Sequence, residues 1–131
     1  VIDYPLAEDK GSKQPKKEAI SAVQLIEKFE LDIAVDTYQK ARYSLVSVNP
    51  KTGRKHQIRR HLKHINHPIV GDSKYGKSSH NRLISEHFNF DRLALHSSSL
   101  SFLHPFTEKE TVISSTAPNP VAKLASQLRL K

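Results

Sequence analysis

The chain has no cysteine, which excludes a disulfide framework, a thiolate zinc site and a cysteine nucleophile together. It has no methionine either and begins at Val1, so a piece of a longer protein or a trimmed product is expected. No apolar run approaches the roughly 20 residues of a membrane span. The opening V-I-D-Y-P-L-A-E-D-K lacks the basic-then-apolar layout of a signal peptide. The expectation is a cytoplasmic, soluble protein with no membrane partner, taken as a monomer. Its 131 residues suit one domain or part of one, and 37% hydrophobic residues can bury a modest core.

Acid is scarce as well. Thirteen Asp and Glu face 21 Lys and Arg, for a formal net charge of +8, and such a balance serves nucleic acid or an anionic membrane surface. The imbalance is sharpest from Pro50 to Gly76, P-K-T-G-R-K-H-Q-I-R-R-H-L-K-H-I-N-H-P-I-V-G-D-S-K-Y-G, which has no acidic residue before Asp72. A surface this basic should meet a polyanion.

Around that stretch the pattern predicts an α+β fold, a mixed and mainly antiparallel sheet with flanking helices. Val1 to Leu6 reads as extended, and residues 7–18 as a charged loop with little to bury, expected to be mobile. Ile20, Val23, Ile26 and Phe29 recur every three residues, which leans helical, although Phe29 and Leu31 also fit alternation. Ala41 to Asn49 alternates as a β-branched strand ending at Pro50. Residues 77–89 allow a helical turn, residues 93–103 read as one long strand with a bulge, and residues 110–115 return as its hairpin partner. Asn119 caps a C-terminal helix over 119–131, with Pro120 at its first position.

A helix introduced by Thr52-Gly53 cannot simply continue past Pro68. At about 100° per residue, Ile58, Leu62 and Ile65 share its apolar face, with His61 on the edge and Arg60 pointing to solvent. Arg59 falls at the border of the apolar stripe, where a guanidinium is held by a carboxylate or an incoming phosphate. His61, His64 and His67 are spaced three apart, but no cysteine or convergent acid completes a metal shell. They read as polar members of a cationic surface, with no metal. Gly71 to Ser78, G-D-S-K-Y-G-K-S, matches the letters of a phosphate-binding P-loop. Its context speaks against a nucleotide site, since only Ile69-Val70 precedes it and S-S-H-N-R opens a helix poorly.

Two long motifs carry a resemblance. T-G-R-K-H-Q-I-R-R-H-L (Thr52 to Leu62), followed by H-P-I-V-G-D-S-K-Y-G (His67 to Gly76), resembles the C-terminal signature of the RluA-type pseudouridine synthases. R-L-A-L-H (Arg92 to His96) and S-F-L-H-P-F-T (Ser101 to Thr107) resemble that family's closing strand and hairpin, and V-I-D-Y-P-L is similar to the version in members that modify position 65 of tRNA. The similarity covers about Val1 to Ala117, and it implies that residues 19–31 form a strand paired with 41–49.

The family's catalytic aspartate lies in an H-R-L-D motif and its tyrosine in a K-x-Y strand, both upstream of D-Y-P-L; neither occurs here. Glu108-Lys109 also replaces the Gly-Glu usual at the hairpin turn. The resemblance therefore implies the C-terminal part of a single catalytic domain, inactive alone, from an enzyme that isomerises uridine in tRNA without cofactor or metal. Arg59 falls on the arginine that pairs with the catalytic aspartate. Gly53, Arg54, His56 and Gln57 would shape the cleft rim, and Lys51, Lys55, Arg60, Lys63 and Lys74 would hold RNA phosphates, with Tyr75 among the RNA-binding residues. A non-catalytic RNA-binding module and a P-loop nucleotide-binding protein are the alternatives.

Overall fold

A long antiparallel pair, Ile20–Leu31 (β2) against Ala41–Pro50 (β3), is the frame of the molecule, with the short Ile2–Asp3 (β1) on the other edge of β2. The computed structural model describes residues 1–7, 15–103, 109–114 and 119–130. The strand implied for residues 19–31 by the family resemblance is present, and the helical periodicity misled. Between Leu25 and Glu27 the register slips by one residue. This bulge turns Ile26 out to 58% exposure, where a helical face would have buried it. Beyond it Phe29 and Leu31 point into the core.

Gln57–His64 (α1) follows the sheet, then Ser78–Phe88 (α2), the hairpin Ser99–Leu103 (β4) with Glu110–Ser114 (β5), and Pro120–Arg129 (α3). The fold is α+β, and every ladder among the described residues is antiparallel. One core joins Phe29, Leu31 and Ala41 of the sheet to Leu83, Ile84 and Phe88 of α2 and to Leu124, Ala125 and Leu128 of α3. A smaller one joins Ile2, Leu62 and Ile69, and Ile58, Leu93, Ala94 and Leu95 pack against it.

Several expectations need correction. The turn allowed in residues 77–89 is a three-turn helix, because Leu83, Ile84 and Phe88 bury one face of an otherwise polar segment. The long strand expected from residue 93 starts only at Ser99. Leu93, Ala94 and Leu95 instead pack consecutively against the smaller core, and Ala94 N donates to the Val70 carbonyl at 2.9 Å.

Of the loop expected over 7–18, residues 8–14 lie outside the described residues. Its far end is tied down, since Leu6 and Lys17 exchange two backbone hydrogen bonds of 2.9 Å. The hairpin turn at 104–108 also lies outside the described residues, as does residue 131. Asn119 caps α3 as expected: its side chain accepts from Val121 N and Ala122 N at 3.0 and 3.2 Å.

Candidate active-site wall

Helix α1 presents the candidate site, and a buried polar lattice fixes it to the sheet. Gln57, 4% exposed, uses every hydrogen-bonding position of its amide. Nε2 donates to the Ile20 carbonyl at 3.0 Å and to Ser21 Oγ at 2.9 Å. Oε1 accepts from Thr52 Oγ1 at 2.6 Å and from Arg54 N at 3.0 Å. Gln57 is thus a strut beneath the basic loop and not a surface contact.

His61 is fully buried, which corrects its reading as part of a cationic surface. Its Nε2 lies 2.9 Å from the Tyr4 carbonyl and its Nδ1 2.8 Å from Ser21 Oγ. A carbonyl can only accept, so Nε2 carries the proton and Nδ1 accepts from the serine. His64 stacks on Tyr4 with ring centroids 3.6 Å apart, and His67 is exposed. The three histidines thus diverge, and the described residues hold no group of His, Cys, Asp or Glu placed for a metal ion. Ile65, expected on the apolar face, is 40% exposed because the helix has already ended at His64.

Arg59 stands at the border, as the helical wheel requires, with 19% of its side chain exposed. Its Nε donates to Asp72 Oδ2 and its Nη2 to Asp72 Oδ1, each at 2.8 Å. Among the described residues Nη1 has no partner. The guanidinium lies over the Tyr75 ring, 5.0 Å from its centroid, with Lys74 Nζ 5.4 Å from the same ring. Tyr75 itself is buried, and its hydroxyl meets His56 Nδ1 at 3.1 Å. His56 opens α1 in the left-handed region at φ 51°. Its imidazole pKa is lowered, first by desolvation and then by the charges of Arg59, Lys74, Lys55 and Arg60, which favours a neutral ring.

In the sequence Asp72 stands out only as the first acid after the basic run. Its side chain is fully buried and also accepts from Lys74 N at 3.0 Å and Tyr75 N at 2.9 Å. Burial alone would raise its pKa, but the Arg59 hydrogen bonds and the two amides outweigh it and hold the carboxyl at about 2. The visible signal was a single acid between two glycines at the end of a long basic run. Both glycines are required: a Cβ on Gly71 (φ 80°) would lie 1.8 Å from the Arg92 carbonyl oxygen, and one on Gly76 2.2 Å from that of Asp72.

The same loop removes the P-loop alternative. The amides of Lys74 and Tyr75, of the kind that would cradle a phosphate, already hold a carboxylate. Ser78 does open a helix, contrary to expectation, but no strand precedes the loop and no parallel sheet surrounds it among the described residues.

The remaining cations divide. Lys51, Lys55, Lys63 and Lys74 are exposed, while Arg54 is half-buried and donates through Nε to the Glu18 carbonyl at 2.8 Å. Arg60 does not point to solvent: Nη1 and Nη2 both donate to the Ala7 carbonyl, at 2.8 and 2.9 Å. The site that forms is Arg59, Asp72, Lys74, Tyr75 and His56; no hydrogen bond or ring contact joins Lys51 or Lys63 to it among the described residues.

The chain matches the family model for RNA pseudouridylate synthase over residues 4–64. It is 49% identical over 121 residues to tRNA pseudouridine synthase C of Vibrio cholerae, covering 86% of this chain and 50% of that protein. It is 40% identical over 134 residues to tRNA pseudouridine synthase C of Yersinia pestis, covering 96% and 52%. To the protein of the same name from Haemophilus influenzae it is 42% identical over 134 residues, covering 96% and 56%. The chain thus spans about half the length of the curated relatives it matches. No described helix is long and apolar enough to cross a membrane.

Proposed function

We propose that this chain is the C-terminal part of a cytoplasmic tRNA pseudouridine synthase and forms one wall of its catalytic cleft. The motif resemblance points to the uridine at position 65. In that reaction the bond from uracil N1 to the sugar breaks, the base turns, and a bond from C5 to the same sugar carbon replaces it. The C5 hydrogen is lost to solvent and a proton is left on N1, so the product is an isomer and no cofactor is consumed. The target base has to leave its stack, which asks for strong backbone contacts around the cleft. Lys51, Arg54, Lys55, Lys63 and Lys74 supply these contacts, with His56 at the rim and Tyr75 buried beneath it. Arg59 faces the catalytic carboxylate that the family carries upstream, and an adjacent guanidinium keeps such a group ionised.

One observation supports this most directly. A half-buried arginine, braced from within and open on one edge, stands amid exposed cations in a chain 40–49% identical to proteins named tRNA pseudouridine synthase C. The test is tritium release from [5-³H]uridine-labelled tRNA by the full-length protein. Release that Arg59→Ala abolishes is expected. Absence of release by the intact protein would overturn the enzyme reading in favour of an RNA-binding module.

A further inference from the structure

Asp72 is the most deeply committed ionised group in the site, and the proposed reaction gives it no role. Its side chain is fully buried and takes four hydrogen bonds, two from Arg59 and one each from the amides of Lys74 and Tyr75. Its backbone is fastened as well. The Asp72 carbonyl accepts from Gly76 N at 3.0 Å and from Asn81 Nδ2 at 3.1 Å, and Asn81 Oδ1 accepts from Gly71 N at 2.8 Å. Helix α2 therefore holds the loop that holds the carboxylate.

Stability alone is a poor reason for such a pair, since a buried ion pair can often be exchanged for apolar residues at no loss. Geometry gives a better one. The pair uses the Nε and Nη2 side of the guanidinium, and the Tyr75 ring covers its face. What is left is Nη1 and the outer proton of Nη2, a ready fork for one oxyanion.

We propose that Asp72 is a positioning residue, which fixes the plane of Arg59 so that this outer edge is presented to the reacting anion. The proposal rests on the isomerase reading. Asp72 does not touch RNA; it acts through Arg59, and Tyr75 keeps the guanidinium from tilting out of plane.

The test uses the full-length protein, with tritium release for kcat and KM, equilibrium binding of tRNA, and a melting curve for each variant. Asp72→Asn keeps the shape but loses the charge that holds the fork, and is expected to lower kcat roughly a hundredfold with tRNA affinity unchanged. Asp72→Glu, with the carboxylate one methylene out of place, is expected to fall between Asp72→Asn and wild type. In an Arg59→Lys background Asp72→Asn is expected to cost little more, because the two residues act as one unit.

Wild-type kcat in Asp72→Asn would overturn the proposal, as would equal losses of kcat and tRNA affinity or full additivity with Arg59→Lys. Should Asp72→Asn not fold, Asp72→Glu decides, and wild-type kcat there is the overturning result. An inactive wild-type protein would instead refute the isomerase reading itself, so the two failures are distinct.

Discussion

Arg60 donates from both terminal guanidinium nitrogens to the carbonyl oxygen of Ala7, and its buried Nε has no partner among the described residues. Its neighbour Arg59 turns the other way, onto Asp72. Two adjacent arginines thus have separate duties, and their variants should fail differently. Arg60→Ala is expected to lower stability by about 2 kcal/mol, the scale of hydrogen bonds from a charged donor, and to reduce turnover only moderately. Arg59→Ala is expected to abolish turnover in the full-length protein while the fold survives. Comparable losses of kcat in the two variants, both folded, would contradict this division.

The Asp72 carboxyl predicts an acid limb in stability. Its folded pKa of about 2 lies below the ordinary value of 3.8, so between those values the unfolded chain binds a proton that the folded one does not. Stability from this group is complete above about pH 4 and is lost as pH falls towards 2, by about 2 kcal/mol in all. Denaturant melts of wild type and Asp72→Asn should converge by that amount on acidification. A constant gap would show that the carboxylate is not held as described.

The cations of the basic stretch predict a steep salt dependence for RNA binding by this chain. Five phosphate contacts, from Lys51, Arg54, Lys55, Lys63 and Lys74, give a log–log slope of about −3.5 to −4.5. Affinity should then fall roughly two orders of magnitude between about 50 and 200 mM salt. Each Lys→Ala should flatten the slope by about 1. A slope near zero would remove the polyanion reading. No turnover is expected from this chain by itself, and measurable tritium release would refute its proposed incompleteness.

Glycine gives a contrast within one motif set. A Cβ on Gly53 meets nothing within 4 Å, whereas one on Gly71 meets the Arg92 carbonyl. Gly53→Ala should leave stability within about 0.5 kcal/mol, so any loss of tRNA affinity would report RNA backbone passing close to that position. Gly71→Ala should cost about 3 kcal/mol or more, from a strained φ and a clash together. Equal melting temperatures for the two variants would contradict the packing.

Local signals in the sequence carried most of the fold. Alternation marked β3, Asn119-Pro120 marked the start of α3, and the basic run with its wheel placed Arg59 at a buried border. Features set by distant partners were not legible. The bulge at Ile26 produced a three-residue apolar spacing inside a strand, which imitates a helix until the register with β3 is known. His61 looked like one of several surface histidines because Ser21 and Tyr4, its hydrogen-bond partners, lie 40 and 57 residues away. Gln57 reads as a rim residue for the same reason, since Ile20 and Ser21 lie far from it in sequence. Asp72 could be suspected from its glycines, but its role as the inner half of Arg59 needed the loop to close.

One small group ties these pieces together. The Ser21 hydroxyl receives Gln57 and gives to His61, one turn apart on the helix that carries Arg59. That helix cannot tilt or slide on the sheet without breaking two buried hydrogen bonds at one oxygen. The aim of the site is therefore set at the first residues of β2, remote in sequence from the cations of the basic stretch. Loss of that hydroxyl in Ser21→Ala is expected to be felt in the full-length protein as poor catalysis before it is felt as poor binding.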